Sequence, residues 1–167
     1  MFLIDALLQG ILMGLLFALV ALGLTVIFGV MDIVNFAHGE FLMLGMYTIY
    51  WINKLFGIDP LLALPASTLL GALLGVASYY WFIKYLLRGP AIAQLFGTFG
   101  LMLFLQYTAM FLFSADYRMI DKGLLVGKSL SVGPFVFDWT KLASGILSLI
   151  AFAIVYYFIN KTKTGKA

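Results

Sequence analysis

No cysteine occurs in the 167 residues, which excludes a disulfide framework, thiol catalysis and a thiolate metal site. Histidine occurs once, at His38, and with Asp32 and Glu40 alone beside it the chain lacks the ligand spacing of a zinc or comparable metal site. Charge is scarce as well: 10% of the residues are charged, against about 25% in a soluble domain. The ten Lys and Arg residues that produce a net charge of +3 are scattered, so they form no nucleic-acid footprint, and no nucleic-acid partner is expected. Gly-x-Ser-x-Gly, His-Glu-x-x-His and Walker loops are all missing, and no enzymatic activity is expected of the chain. No basic segment precedes the first apolar run and no Ala-x-Ala site follows it, which predicts a retained span rather than a cleaved signal.

What is present is apolar surface. Hydrophobic residues make up 64% of the chain and the mean hydropathy is +1.10. A single core of this length cannot hide so much, so the excess must face lipid. A bilayer core about 30 Å thick asks for roughly 20 uncharged helical residues. Runs 6–30, 61–83, 91–115 and 142–159 meet that requirement, while 41–58 is weaker because Asn53 and Lys54 interrupt it. The expectation is an all-α polytopic transmembrane bundle of about five spans in one domain, with a re-entrant or interfacial bend near residues 31–40.

Aromatic residues next to lysines mark the ends of these runs, as interfacial anchors do: Tyr50 and Trp51 before Lys54, Tyr80 and Trp81 before Lys84, Trp139 before Lys141. If the spans alternate, the basic residues divide evenly between the two faces. The denser set, Lys84, Arg88, Lys161, Lys163 and Lys166, favours a C-terminus inside and an N-terminus outside. Residues 116–139 form the one sizeable loop, expected outside. Its Gly123, Gly127, Gly133 and Pro134 punctuate alternating pieces such as Phe135-Val-Phe-Asp138, which suggests a small hairpin on the membrane surface.

Small residues four apart, Gly10, Gly14 and Ala18 in one run and Ser67, Gly71 and Gly75 in another, give flat stripes suited to helix packing. Gln9, Gln94, Thr98 and Gln106 lie within spans and must face other helices or an aqueous path. Gly97 and Gly100, between Gln94 and Gln106, suggest a loosened helix of the kind that lines a solute route. The densest polar stretch is Asp32 to Glu40, with no basic residue nearer than Lys54. An acid at the bilayer centre costs about 2.5–3.5 kcal/mol, so these groups belong at an interface, in a cavity, or in a neutral state. A plain interfacial turn with Asn35 capping the next helix is the competing reading.

The stretch from Gly14 to Gly45, with Asn35-Phe-Ala-His-Gly-Glu40 as its most specific part, closely resembles the N-terminal signature of the permease subunits of branched-chain amino acid ABC transporters. The likeness continues through Gln94-Leu-Phe-Gly-Thr-Phe-Gly100 and Gln106 to the last span. The resemblance implies a pore subunit, without a cofactor, in a bacterial or archaeal cytoplasmic membrane. Its cargo would be leucine, isoleucine and valine, or amides and urea. Its partners would be a second permease subunit, cytoplasmic ATP-binding subunits and an external solute-binding protein, within membrane lipid. Asn35, His38, Gly39 and Glu40 carry over as the family's motif, expected to shape the pore; Gln94, Thr98 and Gln106 are candidates for the translocation path. Members of the family run on beyond this length, so the chain is expected to be an N-terminal portion without the coupling segment, unable to transport alone. A small self-oligomerising channel is the alternative that the glycine stripes and intramembrane glutamines also suit.

Overall fold

In the computed structural model, residues 2–132 and 135–161 are described. The apolar runs form helices. Helix α1 spans Phe2–Met31, α2 His38–Phe56, α3 Pro60–Leu86, α4 Ala91–Phe113 and α5 Trp139–Lys161. Four of them, α1, α3, α4 and α5, are long and apolar enough to cross a membrane. Helix α2 carries His38, Glu40, Asn53 and Lys54 over its 19 residues and is not among those four.

The boundaries follow from capping chemistry. α1 stops where Asp32 turns left-handed, at φ 52°, with its N–H donating to the Phe28 carbonyl at 2.8 Å. Aspartate is one of the few side chains that tolerates this conformation, and the bond satisfies a terminal carbonyl of the helix. α2 ends at Gly57, φ 66°, whose N–H donates to Asn53 O at 2.9 Å. Two residues later Asp59 caps α3 by accepting from the Leu61 N–H at 2.9 Å, with Pro60 at the first helical position. Helix α3 contains a π-helical turn, Tyr79–Ile83, before its last residues Lys84–Leu86.

The chain divides into two compact units, residues 26–124 and residues 1–25 with 125–167. In the first unit α2 and α3 form an antiparallel hairpin. They meet closely at Gly45, whose carbonyl accepts from Ser67 Oγ at 2.9 Å. A Cβ at Gly45 would lie 3.1 Å from that oxygen. Residues 114–124 are hooked onto the α2–α3 turn: Asn53 Nδ2 donates to Lys122 O at 2.9 Å, and Asp59 accepts from the Leu124 N–H.

In the second unit the loop contains an antiparallel hairpin, β1 (Ser129–Val132) with β2 (Phe135–Asp138), in the register Ser129 to Asp138 and Val132 to Phe135. This agrees with the hairpin expected from the alternating sequence; residues 133–134, between the strands, lie outside the described residues. Asp138 then starts α5, its Oδ1 accepting from the Thr140 N–H at 2.9 Å. The last helix therefore begins at Trp139, ahead of the apolar run that starts at Leu142. Leu12 and Leu15 of α1 pack on Gly145 of α5, where an added Cβ would stand 2.8 Å from Leu12. Lys141 Nζ donates to Gln9 Oε1 at 2.9 Å, so this intramembrane glutamine is held by the cation at the head of α5.

Candidate functional site: the bend between the first two helices

Residues 32–37 are neither α-helix nor strand, and their burial alternates. Ile33, Asn35 and Ala37 are 3%, 7% and 0% exposed, whereas Asp32, Val34 and Phe36 are open. A period of two is that of an extended stretch with one face packed, here between the left-handed Asp32 and the turn at Phe36 and Ala37. The segment sits against α4. Thr98 is fully buried and its Oγ1 donates to the Val34 carbonyl at 3.0 Å, with Leu95 O at 3.1 Å as a second acceptor. Phe36 meets Phe99 edge to face, with 6.3 Å between centroids.

Irregular backbone is tolerated in a membrane only where protein or water satisfies it, and Thr98 is one such partner. Asn35 is the other. Its Oδ1 accepts from the Ala37 N–H at 3.0 Å and its carbonyl accepts from the His38 N–H at 3.2 Å. The N-cap position of α2 is Ala37, which has no side-chain cap, so Asn35 performs the capping task from two residues upstream. This is the capping geometry that the interfacial-turn reading expects of Asn35. His38 and Glu40 are half-buried in the first turn of α2, where the helix dipole favours the Glu40 carboxylate, and Gly39 is exposed.

The other expected residues fall in different places. Gln94 is in the first turn of α4, and its Nε2 donates to the Gly89 carbonyl at 3.1 Å, closing the turn that leads into the helix. Gln106 is exposed, a little over two turns beyond Thr98. The loosened helix expected at Gly97 and Gly100 is not found: α4 is continuous from Ala91 to Phe113. Gly97 instead makes room for Leu86, since a Cβ there would come within 2.5 Å of both leucine methyls. Gly10, Gly14, Gly71 and Gly75 have open space where a Cβ would stand. Of the two expected stripes, Ser67 makes a close approach at Gly45, and further glycine notches among the described residues lie at Gly97 and Gly145. Among the described residues no group of three or more His, Asp and Glu side chains is close enough to share a metal ion.

A second cluster was not legible as a site in the sequence. Loop residue Arg118 donates from Nη2 to the Phe113 carbonyl. Its guanidinium carbon lies 5.4 Å from the Tyr50 ring and 5.5 Å from the Trp51 ring. Lys54 Nζ is 5.5 Å and 5.3 Å from the same two rings, so the aromatic pair is shared by two cations. Tyr47 stacks on Phe113 at 4.6 Å between centroids. Tyr50, Trp51 and Lys54 read as an interfacial anchor in the sequence, but nothing in the spacing brings Arg118, 64 residues after Lys54, onto them. A cavity of about 720 Å³ opens beside this cluster.

Comparison with known proteins agrees with this architecture. Residues 6–167 match the family described as "Branched-chain amino acid transport system / permease component". The chain is 26% identical to the high-affinity branched-chain amino acid transport system permease protein LivH of Salmonella typhimurium, over 100% of this chain and 58% of that protein. It is 25% identical to the corresponding permease protein BraD of Pseudomonas aeruginosa, over 98% of this chain and 57% of that one. Over a shorter stretch, 38% of the chain and 20% of the relative, it is 41% identical to a probable branched-chain amino acid transport permease protein LivH of Methanocaldococcus jannaschii. No solved structure matches. The chain therefore spans a little over half the length of the curated relatives that it matches end to end, 58% of LivH and 57% of BraD. With a polar bend clipped between apolar helices and a family match that runs to the last residue, the chain belongs to the branched-chain amino acid transport system permease family.

Proposed function

We propose that the chain is the membrane-embedded permease part of an ATP-driven importer for branched-chain amino acids or the related amides and urea. The observation that carries the reading is the non-helical segment 32–37, packed along one face and clipped by Thr98 inside a chain of this family. Such a segment is a place where two apolar helices can be held apart beside a polar route. Asn35, His38, Gly39 and Glu40 shape that bend, and Gln106 lies further along the same helix as Thr98. ATP-binding subunits on the cytoplasmic side, a second permease and an external solute-binding protein are the partners. Nucleotide and the docked receptor supply the differential binding energy that switches the pore between outward-open and inward-open forms. The N-terminus lies outside and the C-terminus inside, with α2 counted as a fifth crossing; the density of Lys84, Arg88 and Lys161 supports this orientation.

The test is to reconstitute a full-length permease that carries this segment, with its ATP-binding subunits and external receptor, into proteoliposomes and to measure labelled leucine uptake. ATP-dependent uptake that His38→Ala impairs, with leucine binding to the external receptor unchanged, is the expected result. Solute flux through the chain alone, without ATP or companions, would overturn the importer in favour of the self-oligomerising channel, for which the open space at Gly10, Gly14, Gly71 and Gly75 leaves room.

A further inference from the structure

The cavity beside Arg118 is lined by apolar side chains, among them Met43, Met46, Tyr50 and Met119, and by two opposite charges, Arg118 and Asp116. Its volume, about 720 Å³, lies within the range of small-molecule sites, roughly 300–1,000 Å³, which are mostly apolar with a few placed polar groups. Three observations go beyond shape. Arg118 is fixed in advance: Nη2 donates to the Phe113 carbonyl and the guanidinium carbon lies 5.4 Å and 5.5 Å from the Tyr50 and Trp51 rings. Its Nε and the Trp51 Nε1 are buried donors without an acceptor among the described residues. No ion pair joins Asp116 to Arg118 among the described residues, although both line the same space.

We propose that this cavity binds a free amino acid with an apolar side chain, its carboxylate on Arg118 and its ammonium on Asp116. The proposal rests on the importer reading only for the relevance of such a cargo; the chemistry is that of the cavity. A guanidinium with one N–H committed still offers a fork to a carboxylate, and holding that fork in place beforehand lowers the entropy cost of binding. The two charges, not quenching each other, select a zwitterion over an anion or a cation. Methionine is unbranched and polarisable, so Met43, Met46 and Met119 can repack around aliphatic side chains of different branching. An anionic lipid phosphate fits less well, because Asp116 repels it.

The test uses the full chain in detergent with labelled L-leucine as the probe. Competition by 4-methylpentanoate, which lacks the ammonium, by 3-methylbutylamine, which lacks the carboxylate, and by glycine, which lacks the side chain, should each be at least about tenfold weaker than by unlabelled leucine. Asp116→Asn should weaken leucine about tenfold, the loss of one charge-assisted contact. Asp116 is exposed, so this variant is expected to fold. Arg118→Lys, which keeps the charge and loses the fork, should weaken leucine while leaving the charge selection in place. The proposal is overturned if leucine does not bind, if Asp116→Asn binds it unchanged, or if phosphoethanolamine displaces it at lower concentration than leucine itself, which would assign the cavity to a lipid headgroup. ATP-driven uptake with an unchanged KM in Asp116→Asn would remove the site and leave the importer standing. Leucine binding intact in a full-length permease complex without ATP-driven uptake would keep the site and remove the importer.

Discussion

Replacing Thr98 by valine removes one hydroxyl and keeps the shape. The hydroxyl is the donor that the structure gives the Val34 carbonyl, at 3.0 Å, from a side chain with no exposed surface. Its second acceptor, Leu95 O, lies within α4 and has a helical N–H partner besides. Loss of that bond therefore matters little, and the cost concentrates on Val34. A buried polar group left unsatisfied costs about 1–3 kcal/mol. Thr98→Ser keeps the donor and deletes a methyl, worth about 0.8 kcal/mol of burial. Thr98→Ala should therefore combine the two losses. The assay is detergent-phase unfolding of the purified chain, followed by far-ultraviolet circular dichroism against denaturant. The expected order of stability is wild type, Ser, Val, Ala. A valine variant as stable as wild type, or less damaged than the serine one, would refute the clip and leave the bend held by packing alone.

Two further changes probe the helix contacts. Gly97→Ala drives a Cβ to within 2.5 Å of the Leu86 methyls and should destabilise the chain by about 1–3 kcal/mol in the same assay; adding Leu86→Ala should recover part of that loss, a coupling absent if the two residues do not touch. Gly71→Ala and Gly75→Ala meet open space in a helix interior, so each should leave stability unchanged or raise it by up to about 1 kcal/mol; a drop in the stability of the isolated chain would contradict the open faces, whereas a loss confined to complex assembly would place a partner there.

Much of this was legible in the sequence because lipid solvation leaves a coarse signal. The uncharged runs mark α1, α3, α4 and α5, and the alternation at Phe135–Asp138 marks the hairpin. Asn35 and Thr98 stand out as polar residues that need partners, and the structure brings the bend and Thr98 together across 64 residues. What was not legible is where glycine meets a knob. A glycine stripe reports only an absence of side chain, and whether the space is filled depends on the facing helix. Leu12 fills it at Gly145 and Leu86 at Gly97, while Gly71 and Gly75 stay open. Gly97 and Gly100 read as helix-looseners because glycine propensity is low, but close packing by Leu86 overrides propensity at Gly97. The Arg118 cluster escaped for a different reason. A single arginine in a polar loop carries no periodicity, and its place over Tyr50 and Trp51 is set by the hooks at Asn53 and Asp59.

The π-helical turn at Tyr79–Ile83 fits one residue more into a turn than the α-helix does. Since each α-helical residue advances the azimuth by about 100°, that surplus residue resets the phase of everything downstream in α3. Leu86, three residues past the turn, then points its methyls into the notch at Gly97. The aromatic end of α3 thus works as a spacer that dials rotation, and the lock between the third and fourth helices depends on a count of residues rather than on their hydrophobicity.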